Sequence, residues 1–183
     1  MPSWTRRPRW RAQRSTIVPT AQALHRTALE AYAAGDAELL RSICLGNHAD
    51  TLITALDRRP SREAVRFTFE PKRSVWYPRL VSHIICAMDA TQASEQAIVA
   101  ISSRQRMERY HVGTGMVVPG SLRLQEKVEY VVLSRLVDIK SWVARPWRIW
   151  GTVAPTTLEG YYRDKIATER DMLSRAGFYK SSS

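Results

Sequence analysis

Cysteine is nearly absent from this chain: Cys44 and Cys86 are the only two among 183 residues. Two lone thiols lack the spacing of a metal site and make a poor disulfide framework. Both sit in apolar stretches and read as buried small hydrophobes. Long apolar runs are missing as well. The longest, Leu80 to Met88, is interrupted by Ser82 and His83. A membrane-spanning helix needs about 20 apolar residues. Catalytic signatures are also missing. His25, His48, His83 and His111 show no HxH or HExxH spacing, and no GxSxG occurs. Gly113-Thr114-Gly115 lacks the glycine and lysine that complete a phosphate loop, so it reads as a hairpin loop. His25 reads as a helix-surface residue and His83 as a satisfied sheet histidine. No metal, cofactor or small-molecule substrate is expected.

Acid is the other shortage. Seventeen Asp and Glu stand against 28 Lys and Arg, a net charge of +11 and a pI near 10.3. Such a balance points to a polyanion, either nucleic acid or an anionic membrane. The excess is uneven, for residues 1–35 hold six arginines and one acid. The first fifteen residues form an Arg/Trp arm with Trp4, Arg6, Arg7, Arg9, Trp10, Arg11 and Arg14 and no acid. Pro2 and Pro8 oppose regular helix there, and close guanidiniums repel one another. Arginine grips phosphate bidentately and tryptophan stacks on bases, so the arm suits RNA. An Arg-rich, acid-poor N-terminus also fits a matrix-targeting presequence, or a solvated tail. The first two readings are compatible if only part of the arm is removed.

What is present is orderly. Ile17, Ala21, Leu24, Ala28, Ala31 and Tyr32 recur at helical spacing, predicting a helix over Thr16–Ala34 that Gly35 ends. Asp36 caps a second helix, Ala37–Leu45, which Gly46-Asn47 breaks. A third runs from Ala49 to Leu56 and stops at Arg58-Arg59-Pro60. The period then becomes two. Strands are predicted from Glu63, over Val75–Asp89 with a break near Pro78, and over Gln96–Tyr110. Two more lie within Glu126–Thr157, the second being Pro146-Trp147-Arg148-Ile149-Trp150-Gly151-Thr152-Val153. That pair is expected at the centre of the sheet, with Trp147, Trp150 and Tyr130 as core and wall. A last helix spans Glu159–Gly177. The order implies an α+β domain over 16–155: a cone-like curved antiparallel sheet of four or five strands, with N-terminal helices on one face. Residues 156–183 form the C-terminal helix and tail.

Further arginines cluster on the domain: Arg58, Arg59 and Arg62; Arg104, Arg106 and Arg109; Arg145 and Arg148 around Trp147. Each group alone fits a solvated face, and together with the arm they make a multi-point phosphate surface. No RRM, KH or zinc-finger signature occurs, so recognition would rest on shape and charge. Glu126, Glu129, Tyr130 and Asp138 could serve acid–base chemistry inside a cone. With Lys127, Arg123 and Arg135 close by, the two glutamates read instead as paired surface charges.

The run Ala31-Tyr32-Ala33-Ala34-Gly35-Asp36 followed by Leu39-Leu40-Arg41-Ser42-Ile43-Cys44 resembles one family's helix–turn–helix opening. Glu126-Lys127-Val128-Glu129-Tyr130-Val131-Val132 and Trp147-Arg148-Ile149-Trp150-Gly151-Thr152-Val153 resemble its closing strands. The family is the mitochondrial large-subunit ribosomal protein forty-five group, Mba-one-like proteins included. It shares its fold with the C-terminal domain of the inner-membrane import motor's tether. The resemblance covers residues 16–154, and the long N-terminal extension of larger members is expected to be reduced or missing. It implies a non-enzymatic protein in the mitochondrial matrix at the inner membrane. Such a protein would bind mitochondrial rRNA near the polypeptide exit and touch neighbouring large-subunit proteins. It would help hold the ribosome to the membrane, with insertion machinery and anionic lipid as further partners. A lipid-binding import or assembly factor of the same fold is the alternative, and a small cone-fold enzyme the third.

Overall fold

The computed structural model describes residues 14–60, 62–155, 157, 159, 160, 163, 166, 167 and 170. The arm up to Gln13 and most of the C-terminal segment lie outside them. The chain divides into two units at Val153/Ala154. The first holds three helices and five strands among the described residues. In the second, the described residues from Glu159 to Arg170 are helical, with an Arg163–Glu159 pair one turn apart.

Helix α1 is Arg14–Ala34. Its buried stripe is Ile17, Ala21, His25, Ala28 and Ala31, the three- and four-residue steps expected of one helical face. Three alanines let the helix lie close to the sheet, and it touches all five strands. The Gly35-Asp36 dipeptide does two jobs. Gly35 adopts φ 81°, and the amides of Gly35 and Asp36 return to the carbonyls of Tyr32 and Ala31, which closes α1. The Asp36 carboxylate then accepts from Leu39 N at 2.9 Å and starts α2, Ala37–Ile43.

Helix α3, Gly46–Asp57, begins at the glycine that sequence reading took as a break. The interruption falls earlier, at Cys44-Leu45. Both residues are extended, because Leu45 N donates to Ile149 O at 2.8 Å and Cys44 bridges the same residue. A tertiary hydrogen bond, not a local breaker, sets that boundary.

The strands are β1 Glu63–Pro71, β2 Arg79–Ala87, β3 Gln92–His111, β4 Arg123–Asp138 and β5 Arg148–Val153, all antiparallel to their partners in one curved, open sheet. The expected centre is displaced. β3, twenty residues long, carries β4 along one edge. β1 and β2 share its other edge in tandem, β1 against residues 103–111 and β2 against 93–100. β4 does lie inside the sheet, but β5 has only six residues and pairs with β4 alone.

Alternation sorts the faces. Ala97, Val99 and Ile101 of β3, Val131 and Leu133 of β4, and Ile149 of β5 bury against Ile17, Ala21, Ala28, Leu40 and Cys44. Ser102, Arg104 and Arg106 point the other way, with Arg66, Glu70 and Glu126 as cross-strand neighbours or near neighbours. Trp147 is buried as expected and Tyr130 is half-buried, whereas Trp150 is 52% exposed. It falls in the register shift between Val132 and Leu133, where the β5 chain carries one residue without a partner.

Asp36→Ala removes a side-chain cap and should cost about 1 kcal/mol in urea unfolding at neutral pH. An unchanged midpoint would mean that the Leu39 amide finds another acceptor.

Candidate nucleic-acid interface

The face of the sheet turned away from α1 gathers charge where β1, β3 and β4 run together. Arg104 donates from Nε and Nη2 to Glu126 Oε1 at 2.8 and 2.6 Å, while Lys72 Nζ reaches the other oxygen. Arg66 and Arg106 contact the two oxygens of Glu108 at 3.0 and 3.3 Å. Each carboxylate is thus shared by two cations, leaving a positive surplus. Hydrogen bonds from Lys72 and Arg104 hold the Glu126 carboxyl below its ordinary range. The cations remain about half exposed; Glu126 is too, so its pairs add little stability and can be re-partnered by phosphate, whereas Glu108 is buried.

The other sequence-predicted arginines are scattered. Arg109 pairs with Glu63 at 3.0 Å, on the opposite side of β3 from Arg104 and Arg106. Arg58 is exposed at the end of α3. Arg59 stacks 4.2 Å over Tyr32 and donates to Ala33 O at 3.1 Å, which commits it to tying α3 to α1. Arg145 is exposed, whereas Arg148 is half-buried and donates to Arg41 O. Arg14 opens α1, and Trp4, Arg6, Arg7, Arg9, Trp10 and Arg11 lie outside the described residues.

One basic–aromatic element was missed. Sequence reading began a strand at Val75, but β2 starts at Arg79, after a cis Tyr77-Pro78 bond. Residues 72–78 leave the sheet edge between β1 and β2. The Ser74 hydroxyl accepts from the amides of Trp76 and Tyr77 at 3.2 Å each, and Ser74 N donates to Tyr77 O at 2.9 Å. Val75 is 95% exposed and Trp76 69%. Lys72, Arg73 and Arg79 flank them, with the Arg79 guanidinium 5.9 Å from the Tyr77 ring. Lys72 N donates to Ser102 O, which joins the excursion to the sheet beside Arg104. The signal was present: Lys72-Arg73-Ser74-Val75-Trp76-Tyr77-Pro78-Arg79 has the same interleaving as the arm.

The interior face carries a different polar group. His25, expected on the surface, is 4% exposed, and its Nε2 lies 3.0 Å from Glu129 Oε2. Gln105 donates to that oxygen at 2.7 Å and Lys127 contacts the other at 2.8 Å. Glu129 is therefore an inward-facing carboxylate with both oxygens occupied, not a surface charge. Burial alone would push its carboxyl up, but the His25 and Lys127 contacts more than offset this and bring it down to about 2. His48 is driven below its ordinary value by burial and then by the His25 charge. Further along this face Glu95, fully buried, meets His83 at 2.8 Å and Arg135 at 2.5 Å, as expected for a satisfied sheet histidine. The Arg135 guanidinium stacks 4.3 Å over Trp147. No group able to hold a metal occurs among the described residues.

The cysteines diverge. Cys44 is buried, and burial pushes its thiol up to about 11 despite the opposing charge of Arg148. Cys86, expected inside, is exposed on β2. Its apolar sequence neighbours lie on a strand whose second edge has no partner strand among the described residues.

No family model and no curated protein matches the sequence. Among solved structures, the intermembrane space region of the chloroplast protein ARC6 aligns over 80% of this chain and 100% of its own, at 10% identity with TM-score 0.49. A likeness that small carries no functional argument.

Two measurements check this geometry. Native chain should take up one maleimide, at Cys86, and denatured chain two; rapid labelling of Cys44 in the native state would contradict its burial. The second concerns acid. The Glu129 carboxyl titrates near 4.5 when unfolded and near 2 when folded, so its contribution is complete above about 4.5 and lost as pH falls toward 2. Glu129→Gln should cost on the order of 2 kcal/mol at pH 6, and the deficit should vanish near pH 2. A pH-independent deficit would assign the loss to packing instead.

Proposed function

We infer that the chain is a non-catalytic component of the mitochondrial large ribosomal subunit. It binds rRNA near the polypeptide exit and helps hold the ribosome against the inner membrane from the matrix side. One observation carries the RNA part. Trp76 is presented to solvent on a hydrogen-bonded excursion between Lys72, Arg73 and Arg79, and Lys72 joins it to Arg104 through Glu126. An exposed indole among cations suits an unpaired base on a phosphate backbone. Base stacking contributes about 1–3 kcal/mol per base, and each neutralised phosphate releases counterions. The sheet holds the excursion in place, while the Arg/Trp arm supplies a second set of the same chemistry at the start of the sequence.

The ribosomal assignment rests on the family resemblance of residues 16–154, and the charge balance agrees with it. No helix among the described residues is long and apolar enough to cross a membrane, which is compatible with peripheral attachment.

Purified mitochondrial large subunits should co-sediment the full chain, and deletion of residues 1–14 should weaken that retention. Trp76→Ala should lower affinity for a single-stranded RNA oligonucleotide roughly tenfold, in line with one lost stack. The variant should fold normally, since the indole is exposed. If neither change alters binding, the RNA reading is wrong.

A further inference from the structure

The end of the β3–β4 hairpin is a second exposed feature, unlike the first in composition. After His111 the chain folds back tightly. His111 N donates to Met116 O at 2.9 Å, Gly115 N to His111 O at 2.8 Å, and Val118 N to Arg109 O at 2.9 Å. The Ser121 hydroxyl accepts from Arg109 N at 3.1 Å and contacts Arg109 O at 3.2 Å. Gly115 and Gly120 adopt φ 68° and 72°, conformations that side-chain-bearing residues rarely take. The tip is therefore a shaped loop, yet its apolar side chains face water. Val112, Met116, Val117, Leu122 and Leu124 are all among the exposed large hydrophobics, Met116 at 67%. An open cavity of about 710 Å³ lies against Val112, Met116, Val117 and Pro119, with Arg62 and His111 at its polar margin. A cluster of exposed apolar side chains on an ordered loop marks a contact surface.

Charge narrows what it contacts. From Arg109 to Gln125 there is no acid, whereas Arg109, His111 and Arg123 are basic. Arg62 lies alongside, its carbonyl accepting from Val112 N at 3.0 Å. Arg109 already pairs with Glu63, so Arg62 and Arg123 are the cations to consider. Between Val112 and Leu124 there is no aromatic residue, and of the rings at the base of the tip Tyr110 already lies under Arg66, which leaves His111 as the one ring at the cavity margin. The tip holds no tryptophan, and Tyr110, which bridges Val117, is half-buried rather than a projecting anchor of the kind that dominates protein–protein hot spots. Aliphatic side chains beside a cationic margin, whose one nearby acid, Glu63, is held by Arg109, match the boundary of an anionic bilayer, where affinity combines apolar area with headgroup attraction.

We propose that the β3–β4 hairpin tip is a lipid contact: Val112, Met116 and Val117 enter the acyl boundary of an anionic membrane while Arg62 and Arg123 engage headgroup phosphates. This deepens the membrane half of the reading above and rests on it.

Full chain is floated with vesicles of phosphatidylcholine alone or mixed with cardiolipin. Wild type should float with the mixed vesicles and retain part of its binding at high salt. Met116→Asp/Val117→Asp should abolish the salt-resistant part, at least a tenfold loss. Arg62→Gln and Arg123→Gln should each cost about fivefold at low salt. An environment-sensitive dye on Met116→Cys, in a Cys86→Ser background, should shift to the blue on vesicle addition. The arm could bind anionic vesicles by charge alone, so these readouts separate the two: arm binding is lost at high salt and leaves the dye unshifted. Failure of the wild type to float, an unshifted dye, or full salt-resistant binding by the double variant overturns the proposal. So does loss of large-subunit retention by the tip variants with no vesicles present, which would make the tip a ribosomal contact. Flotation failing while RNA binding stays sensitive to Trp76→Ala refutes the lipid contact and leaves the RNA reading intact.

Discussion

The twenty-residue ladder of β3 is the constraint on which the first unit depends. Three of the other four strands hydrogen-bond to it directly, and the fourth reaches it through β4. Its inward positions are small or branched where α1 crosses, at Ala97, Val99 and Ile101, and polar beyond, at Ser103 and Gln105. That change lets one strand pass from dry core to the hydrogen-bonded group around His25 and Glu129. A single long strand also shares two environments along its outer edge. β1 and β2 occupy successive halves of that edge, and the chain between them projects outward as the Trp76 excursion.

The two faces treat charge differently. Inside, Glu129 and Glu95 are each held by a histidine and by further donors, an arrangement that satisfies buried carboxylates. Removing one partner would leave the other desolvated, so these groups belong to the architecture. Outside, Glu126 and Glu108 each serve two half-exposed cations, and Glu126 is itself half exposed whereas Glu108 is buried. The same residue types therefore have opposite consequences. The His25–Glu129 pair ties α1 to the sheet and Glu95 ties β3 to β2 and β4, whereas the exposed Glu126 pairs leave Lys72 and Arg104 able to exchange a carboxylate for a phosphate.

Local signals were legible in the sequence and pairing was not. The three helices and their Gly35-Asp36 junction follow from spacing and capping, which are properties of adjacent residues. The start of α3 was misjudged because a hydrogen bond from Leu45 to Ile149, a hundred residues away, overrides the glycine. The central strand was misassigned for a similar reason. The centre lies on β3 rather than on the β4–β5 pair because strand pairing across the sheet is not encoded by adjacent residues. His25 could have been placed, since it stands four residues after Ala21 and three before Ala28 on a stripe that had to be buried. Trp150 and Cys86 were misplaced because apolar character was taken for burial. A bulge exposes the first and an edge strand the second. The arginine groups were visible as composition, but their division into ion pairs, a stacked tie and exposed cations depends on which strands meet.

An open sheet invites other chains to add to its free edges, and the interruption between β1 and β2 bears on that hazard. A continuous strand from Glu63 to Ala87 would offer an unbroken row of unpaired amides and carbonyls. Instead, Pro71 and Pro78 bracket a projecting turn, so neither β1 nor β2 exceeds nine residues. Prolines, short edge strands and protruding cations are the usual defences against edge-to-edge growth. At the opposite margin Cys44 and Leu45 occupy Ile149 on β5. The turn that displays Trp76 thus also breaks an edge along which copies of this β-rich chain could otherwise pair.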